Sequence, residues 1–246
     1  MASPGFLDRG FLLERDETAS ELMDDPGGDV EALERTYARF RLVNAVVSNQ
    51  RAVYRRWVRP CLSRTRTRRV LDIGTGGADL PRALLRWAHA DGLRLEVTAI
   101  DPDPRALDWA LRQPAEPGLV LRRVSSSELA AAGERFDVVT SNHVLHHLEG
   151  RAFGALLADS ERLAGDGGVA VHGDIERTRL GYAAFALGTL PFERNLLAGS
   201  YIRADGLTSI RRSHTAAELA AALPPGWRVR RGFPSRLEVI WGDADA

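Results

Sequence analysis

Val70-Leu71-Asp72-Ile73-Gly74-Thr75-Gly76-Gly77-Ala78-Asp79-Leu80-Pro81 runs from an apolar stretch through a glycine loop into a helix start. Val70–Ile73 reads as a buried strand and Asp79–Ala90 as the helix after it. Glycine at 74 and 76 lets the backbone turn tightly and approach a ligand with no Cβ in the way. A dinucleotide site uses the same geometry, with pyrophosphate on the helix N-terminus. Two residues oppose that reading here. The third glycine of G-x-G-x-x-G falls at Asp79, whose carboxylate repels pyrophosphate, and Asp72 suits an ammonium or its bound water. The loop points to a ligand carrying a positive charge and no phosphate.

Downstream, the chain alternates. Strands are expected at Leu95–Ile100, Leu119–Val124, Phe136–Ser141 and Val169–Gly173. Helices are expected at Pro104–Arg112, near Ser127–Ala132 and at Arg151–Ala164, the first with proline in its opening turn. Repeated units of this length make a parallel sheet with helices on both faces. His214–Leu223 reads as a further helix, capped by Ser213 or Thr215. Trp227–Phe233 and Arg236–Trp241 close the chain as two strands around Pro234-Ser235, the last running antiparallel. The fold class is α/β: a Rossmann-like, seven-stranded, mostly parallel sheet with an antiparallel last strand. Residues 174–212 exceed a simple crossover and read as an insertion that covers or lines a site.

Upstream, Phe6 to Met23 has apolar residues without a clean start signal, and Asp24-Asp25-Pro26-Gly27-Gly28 breaks the chain. Asp29 then caps a long helix, expected from Val30 to Leu62 and interrupted at Pro60. Leu33, Tyr37, Phe40, Val43, Val47, Tyr54, Trp57 and Val58 recur mostly at three- and four-residue steps, so one face is buried. Two regions follow: residues 1–66 as an N-terminal helical extension or lid, and 67–246 as the ligand-binding domain.

Composition sets limits. The 246 residues are 44% hydrophobic, enough for one well-buried domain. No apolar run approaches the ~20 residues of a membrane span, and the N-terminus lacks a signal peptide's pattern, so the expectation is cytoplasmic with no membrane partner. One cysteine, Cys61, excludes an internal disulfide framework and a cysteine-based zinc site. Basic and acidic residues number 33 each, and no basic residue is lysine, which argues against Schiff-base chemistry. Residues 41–69 hold nine arginines and no acid, whereas 1–40 hold ten acids and four arginines. That stretch could track a phosphate backbone, but the neutral balance and missing recognition motif favour a solvated face and no nucleic acid partner.

Asp101 ends the second strand, where a carboxylate's two acceptor oxygens match a ribose diol. Asp103 can cap the next helix in its place. With Asp72, Gly74, Thr75, Gly76, Asp101 and Pro102 in this register, the chain resembles class I methyltransferases that use S-adenosylmethionine, from about Val70 to Trp241. The resemblance implies that Asp101 binds the ribose and that the Gly74–Gly76 loop wraps the methionine end. Tyr37-Ala38-Arg39-Phe40, Asn44, Ser48 and Arg51 resemble the lid helix of ubiquinone and menaquinone methyltransferases, which implies a cofactor role for Ser48. After the third strand the family often places an acid against adenine. Here Ser126 stands at that position, a weaker partner than a carboxylate, and the Ser127 amide could donate to the ring.

The fourth strand leads into Asn142-His143-Val144-Leu145-His146-His147-Leu148, which holds half of the chain's six histidines. Strand ends of such sheets face the ligand crevice, and histidine titrates near working pH. His146, then His147 and His143, are candidate bases for a phenol acceptor. One of them packing or capping the next helix is the plain alternative. His214 is a further candidate, and His172 and Asp174 are expected to face the crevice. No metal is expected, because adjacent His146 and His147 cannot easily point at one ion.

Leu22-Met23-Asp24-Asp25-Pro26, the Tyr37–Asn44 helix and Asp205–Ser213 resemble bacterial methyltransferases of polyketide metabolism. The implied function is O-methylation of a small aromatic, phenolic or polyketide-type metabolite. C-methylation of a quinone precursor, an RNA methyltransferase and a non-catalytic cofactor-binding protein are the alternatives.

Overall fold

A computed structural model describes residues 10–243. Phe6–Arg9, the start of the first expected segment, lie outside the described residues. The sheet is seven-stranded, in the order β3-β2-β1-β4-β5-β7-β6. Its strands are β1 (Arg68–Ile73), β2 (Leu95–Ile100), β3 (Leu119–Arg122), β4 (Val138–Asn142), β5 (Val169–Ile175), β6 (Trp227–Gly232) and β7 (Arg236–Trp241). β1 pairs in parallel with β2 and β4, and β7 runs antiparallel to both β5 and β6.

The period of two in β1 divides the core. Leu71 packs with Leu129, Leu145 and Leu157 on one face, while Val70 packs with Leu84, Tyr54 and Trp57 on the other. Leu71 has no exposed surface, and burying a leucine side chain is worth about 1.5–3 kcal/mol. On the second face, α3 (Asp79–Ala90) buries Leu80, Leu84 and Leu85. On the first, α5 (Ser126–Ala131) and α6 (Gly150–Ala164) present Leu129 and Phe153, Leu156, Leu157 and Leu163. Asp103 caps α4 (Pro104–Arg112), and Ser125 and Glu128 form a reciprocal cap on α5. Thr215, not Ser213, caps α9 (Ala216–Ala222), again reciprocally with Glu218.

The first long helix is shorter than its periodicity suggests. α1 covers Val30–Val47, with Asp29 accepting from the Glu31 backbone at 2.9 Å. It stops at Ser48, because Asn49 is left-handed at φ +46°; α2 (Gln50–Val53) follows, then a wide helical turn over Tyr54–Val58 and a tight one over Arg59–Cys61. Asn49 is held there by its side-chain donation to Phe233 O at 3.0 Å. Part of the arginine-rich stretch is engaged by the fold itself. Arg59, Arg68 and Arg69 pair with Asp91, Asp137 and Glu134, and Arg51 lies over the Tyr54 and Trp87 rings.

Within residues 174–212 lie α7 (Arg179–Thr189) and α8 (Ile202–Arg212), the second unexpected from its polar sequence. Its fixing contacts are remote. Asp205 accepts the Leu22 and Met23 backbone N–H groups at 2.7 and 3.0 Å, which ties the N-terminal segment to α8. Among the described residues, no helix is long and apolar enough to cross a membrane.

Candidate functional site

The glycine loop is tied to the neighbouring strand end. Gly74 and Thr75 donate their N–H groups to Ile100 O at 2.9 and 3.1 Å. Gly74 sits at φ +68°, and a Cβ there would lie 2.6 Å from a methyl of Val144, just past the end of β4, so a side chain is excluded unless Val144 shifts. Gly76, at φ +52°, is different: a Cβ would meet nothing nearer than Tyr37 Cε1 at 3.8 Å. Backbone conformation selects glycine there, and the space beside it is open.

Two acids flank the loop. Asp72 is 2% exposed, its Oδ1 has no partner, and burial pushes its carboxyl up to about 8. Asp101 accepts the Gly76 N–H on Oδ2 at 2.8 Å and the Asp103 N–H on Oδ1 at 2.9 Å. Each Asp101 oxygen keeps a second lone pair. Burial also raises the Asp79 carboxyl, against the donation it receives from Asn44 at 3.0 Å.

A cavity of about 760 Å³ opens along these strand ends. Asp72, Gly74, Thr75, Gly76, Asp101, Pro102, Ser126, Ser127 and Asn142 all lie on its wall, with Tyr37, Phe40 and Asn44 of α1. Ser48 does not. It is buried one step behind, with its Oγ 3.0 Å from Asn44 Oδ1 and 2.7 Å from His143 Nε2. Behind Ser126 and Ser127 stands Asp159 of α6, also on the wall. Its burial on the apolar face of an amphipathic helix was the available sequence signal.

The histidines divide by environment. His143, left-handed at φ +60°, lies with Nε2 3.2 Å from Arg236 Nη1. Ser48 Oγ approaches the same nitrogen at 2.7 Å, so His143 Nε2 is engaged from two sides. Burial, with Arg236, holds His143 well below the usual histidine range. His146 is opposite. Its Nδ1 lies 2.7 Å from Asp174 Oδ1 and its Nε2 3.1 Å from Glu21 Oε1. Burial works against its charge, but Asp174 and Glu21 outweigh it and raise the pKa to about 10. His146 is therefore an imidazolium with both nitrogens donating, and this arrangement offers no lone pair to a substrate. His147 reaches Asp24 Oδ2 through Nδ1 at 3.1 Å, while its Nε2 stays 3.7 Å from Glu21. Like His143 Nδ1, which lies 4.0 Å from Asp174, His147 Nε2 makes no hydrogen bond among the described residues.

Glu21 was not legible in the sequence. Its carboxylate also accepts from Ser209 of α8 at 2.8 Å, and although burial opposes its charge, His146 and His147 hold its pKa down. Two expected residues fall outside the cavity. His172 lies one pleat deeper in β5 than Asp174, stacked on Trp227 with centroids 5.6 Å apart and bonded to Ser141. His214 sits against Phe153, centroids 6.0 Å apart, away from the wall. Asp174 itself lies off the wall, bonded to His146 and with its Oδ1 4.0 Å from His143 Nδ1. The adjacent histidines converge instead of diverging: their centroids are 4.2 Å apart, and with Glu21 they bring three ligand-type atoms within 4.8 Å of one another. His143, His146 and Asp174 form a second such group. In both, the His146 nitrogen is already bonded to a carboxylate.

Residues 46–223 match the family model described as a methyltransferase domain, and the chain belongs to that family. The family's cofactor is S-adenosylmethionine. The chain spans about half the length of the curated relatives it matches. A ubiquinone biosynthesis O-methyltransferase of Cereibacter sphaeroides is 32% identical over 135 residues, 54% of this chain and 51% of that protein. Among solved structures, an O-methyltransferase family protein from Burkholderia thailandensis is 16% identical with a TM-score of 0.58, covering 86% of this chain and 59% of that one. Human N-acetylserotonin methyltransferase in complex with S-adenosylmethionine is 14% identical with a TM-score of 0.57, covering 87% and 57%. At these identities the structures establish the Rossmann-like class I methyltransferase fold.

Proposed function

We propose that this protein transfers the methyl group of S-adenosylmethionine to an oxygen of a small aromatic metabolite of phenolic or polyketide type. The observation that carries the reading is one cavity whose wall includes both the Asp72–Asp101 pair and the His146–His147 turn. When bound, the cofactor would supply a sulfonium methyl, the acceptor oxygen bonding to its carbon in line as the carbon–sulfur bond breaks and S-adenosylhomocysteine leaves. Asp72, a buried acid with an orphaned oxygen, fits the α-ammonium, and the half-used oxygens of Asp101 fit the ribose hydroxyls. Gly74–Gly76 and Asn142 take the methionine end, and Pro102, Ser126 and Ser127 the adenosine.

His147 is the proton acceptor in this reading. Asp24 holds its Nδ1–H, which leaves the Nε2 lone pair for an acceptor hydroxyl. His146 supplies fixed positive charge beside it, suited to a developing phenolate. Residues 1–66 act as the lid over a domain spanning 67–246, and residues 174–212 cover the acceptor end, where Phe185, Ile202 and Met23 provide an apolar wall. The printed name of the curated relatives favours oxygen over carbon as the methylated atom. The test is incubation of the purified protein with the cofactor and a panel of phenols and catechols, read by mass spectrometry and product structure. A single methyl added to a phenolic oxygen is expected. Methylation at ring carbon would move the assignment to the quinone-precursor chemistry, and no methylated phenol at all would overturn the acceptor class.

A further inference from the structure

Ser126 stands where the resemblance places an acid, and Ser127 follows it. Both are at the start of α5, and both side chains turn to the same atom. Ser126 Oγ donates to Asp159 Oδ2 at 2.9 Å, and Ser127 Oγ donates to it at 2.6 Å. Asp159 is 3% exposed, comes from the middle of α6, and lines the cavity together with the two serines and Leu156. Its other oxygen lies 3.3 Å from Arg162 Nη2.

A hydroxyl has one proton. With that proton directed to Asp159, each serine hydroxyl can offer an incoming group only its lone pairs. We propose that Asp159 is a positioning residue that converts Ser126 and Ser127 into acceptors, so the site selects a 6-amino purine over a 6-oxo purine. The pair of hydroxyls, polarised by one carboxylate, does the work of the missing acid from a helix later in the chain. An exocyclic amine donates to such a wall, whereas a 6-oxo group meets two oxygens with no proton to share. Sites built to hydrogen-bond a given group reject the analogue that cannot complete the bond. This inference rests on the adenosine end of the cofactor lying at Ser126 and Ser127, as in the reading above.

Binding of S-adenosylhomocysteine and of its 6-oxo counterpart, S-inosylhomocysteine, tests it by titration calorimetry. The wild-type protein should prefer the 6-amino ligand by ~10-fold or more, the range of a hydrogen bond assisted by charge. In Asp159→Asn, the carboxamide can donate to the serine oxygens and free their protons to face the cavity. The preference should then shrink by ~10-fold, with affinity for the 6-oxo ligand held or raised. Asp159→Ala, which lets both serine hydroxyls turn their protons to the cavity, should also collapse the preference, which keeps the test open if Asp159→Asn folds poorly. Equal loss of both ligands in the variants, with the ratio unchanged, would make Asp159 structural only and overturn the proposal. Wild-type protein that binds neither ligand would instead overturn the cofactor reading, and the proposal with it.

Discussion

His146 and Asp174 are joined twice, by the His146 backbone N–H to Oδ2 at 2.9 Å and by the ring Nδ1 to Oδ1 at 2.7 Å. The double link fixes both the turn after β4 and the orientation of the ring against the end of β5. Glu21 closes the far side of the ring, so a buried cation lies between two carboxylates.

That arrangement has a pH signature. The His146 pKa is raised from 6.5 to about 10, so its contribution is full below about 6.5 and lost as pH rises toward 10. Asp174 is depressed below 3.8, so its contribution is present above that value and lost as pH falls. The pair therefore stabilises most between about 4 and 6.5. Asp174→Asn should cost about 3–5 kcal/mol in that window, the usual cost of breaking a buried pair. In His146→Gln, the loss measured by urea unfolding should shrink as pH rises toward 10. A gap that stays constant across this range would mean that His146 is not charged in the fold.

Asp101→Ala should weaken binding of S-adenosylhomocysteine by one to two decades, since hydrogen bonds to charged groups are worth ~1.5–3 kcal/mol. The same substitution frees the Gly76 and Asp103 N–H groups, so some stability is lost as well. Calorimetry on Asp101→Asn, which keeps an acceptor for one of them, separates the two effects. Affinity unchanged in both variants would remove Asp101 from the site.

The two loop glycines should behave differently. Gly74→Ala places a Cβ 2.6 Å from Val144 at positive φ and should lower stability by over ~1 kcal/mol before any ligand is added. Gly76→Val faces open space and should keep the fold, with strain on the order of 1 kcal/mol, while losing cofactor affinity. Thermal unfolding and circular dichroism set against calorimetry distinguish them. Normal binding by folded Gly76→Val would show that the loop is not the cofactor cradle.

Much of this was legible in the sequence, and the rest failed for identifiable reasons. α3, β2, α4 and β7 match their expected bounds because glycine, proline and cap residues mark them locally. The extent of α1 did not, because Asn49 is bent by a bond to Phe233, 184 positions away. α8 is polar and carries Gly206, and its helix is fixed by Asp205 holding Leu22 and Met23. The loop and strand end on the cavity wall were readable from one motif and one strand tip. Glu21 was not, and Asp159 showed only as an acid on the apolar face of its helix, since each acts on a partner over 30 residues distant.

If Asp72 takes the cofactor's ammonium, binding is linked to a proton. Burial raises its carboxyl to about 8, so near neutral pH the free protein holds it mostly protonated. An ammonium beside it favours the ionised form, and binding then releases a proton. Affinity should rise with pH toward 8, and binding enthalpies should differ between buffers of different ionisation heat. In Asp72→Asn both effects should vanish together with much of the affinity. Buffer-independent enthalpy in the wild type would place the ammonium elsewhere.

The histidine turn separates proton removal from charge. If His147 takes the acceptor's proton, His147→Ala should lower turnover of an ordinary phenol by ~10²–10⁴-fold. Phenols acidic enough to ionise unaided need no base and should lose much less. S-adenosylhomocysteine affinity should hardly change in this variant, because the groups proposed to hold it lie at the loop and Asp101. His146→Gln should behave otherwise. It removes a fixed cation, so it should slow acidic and ordinary phenols by similar factors, the acceptor being an anion as it reacts in both cases. His143→Ala and His214→Ala provide the contrast, since His143 Nε2 is engaged by Arg236 and His214 lies off the wall. Rates measured against acceptor pKa for the four variants give the assignment. A loss in His147→Ala that is flat across the phenol series, with the steep dependence found in His146→Gln, would return the base to His146.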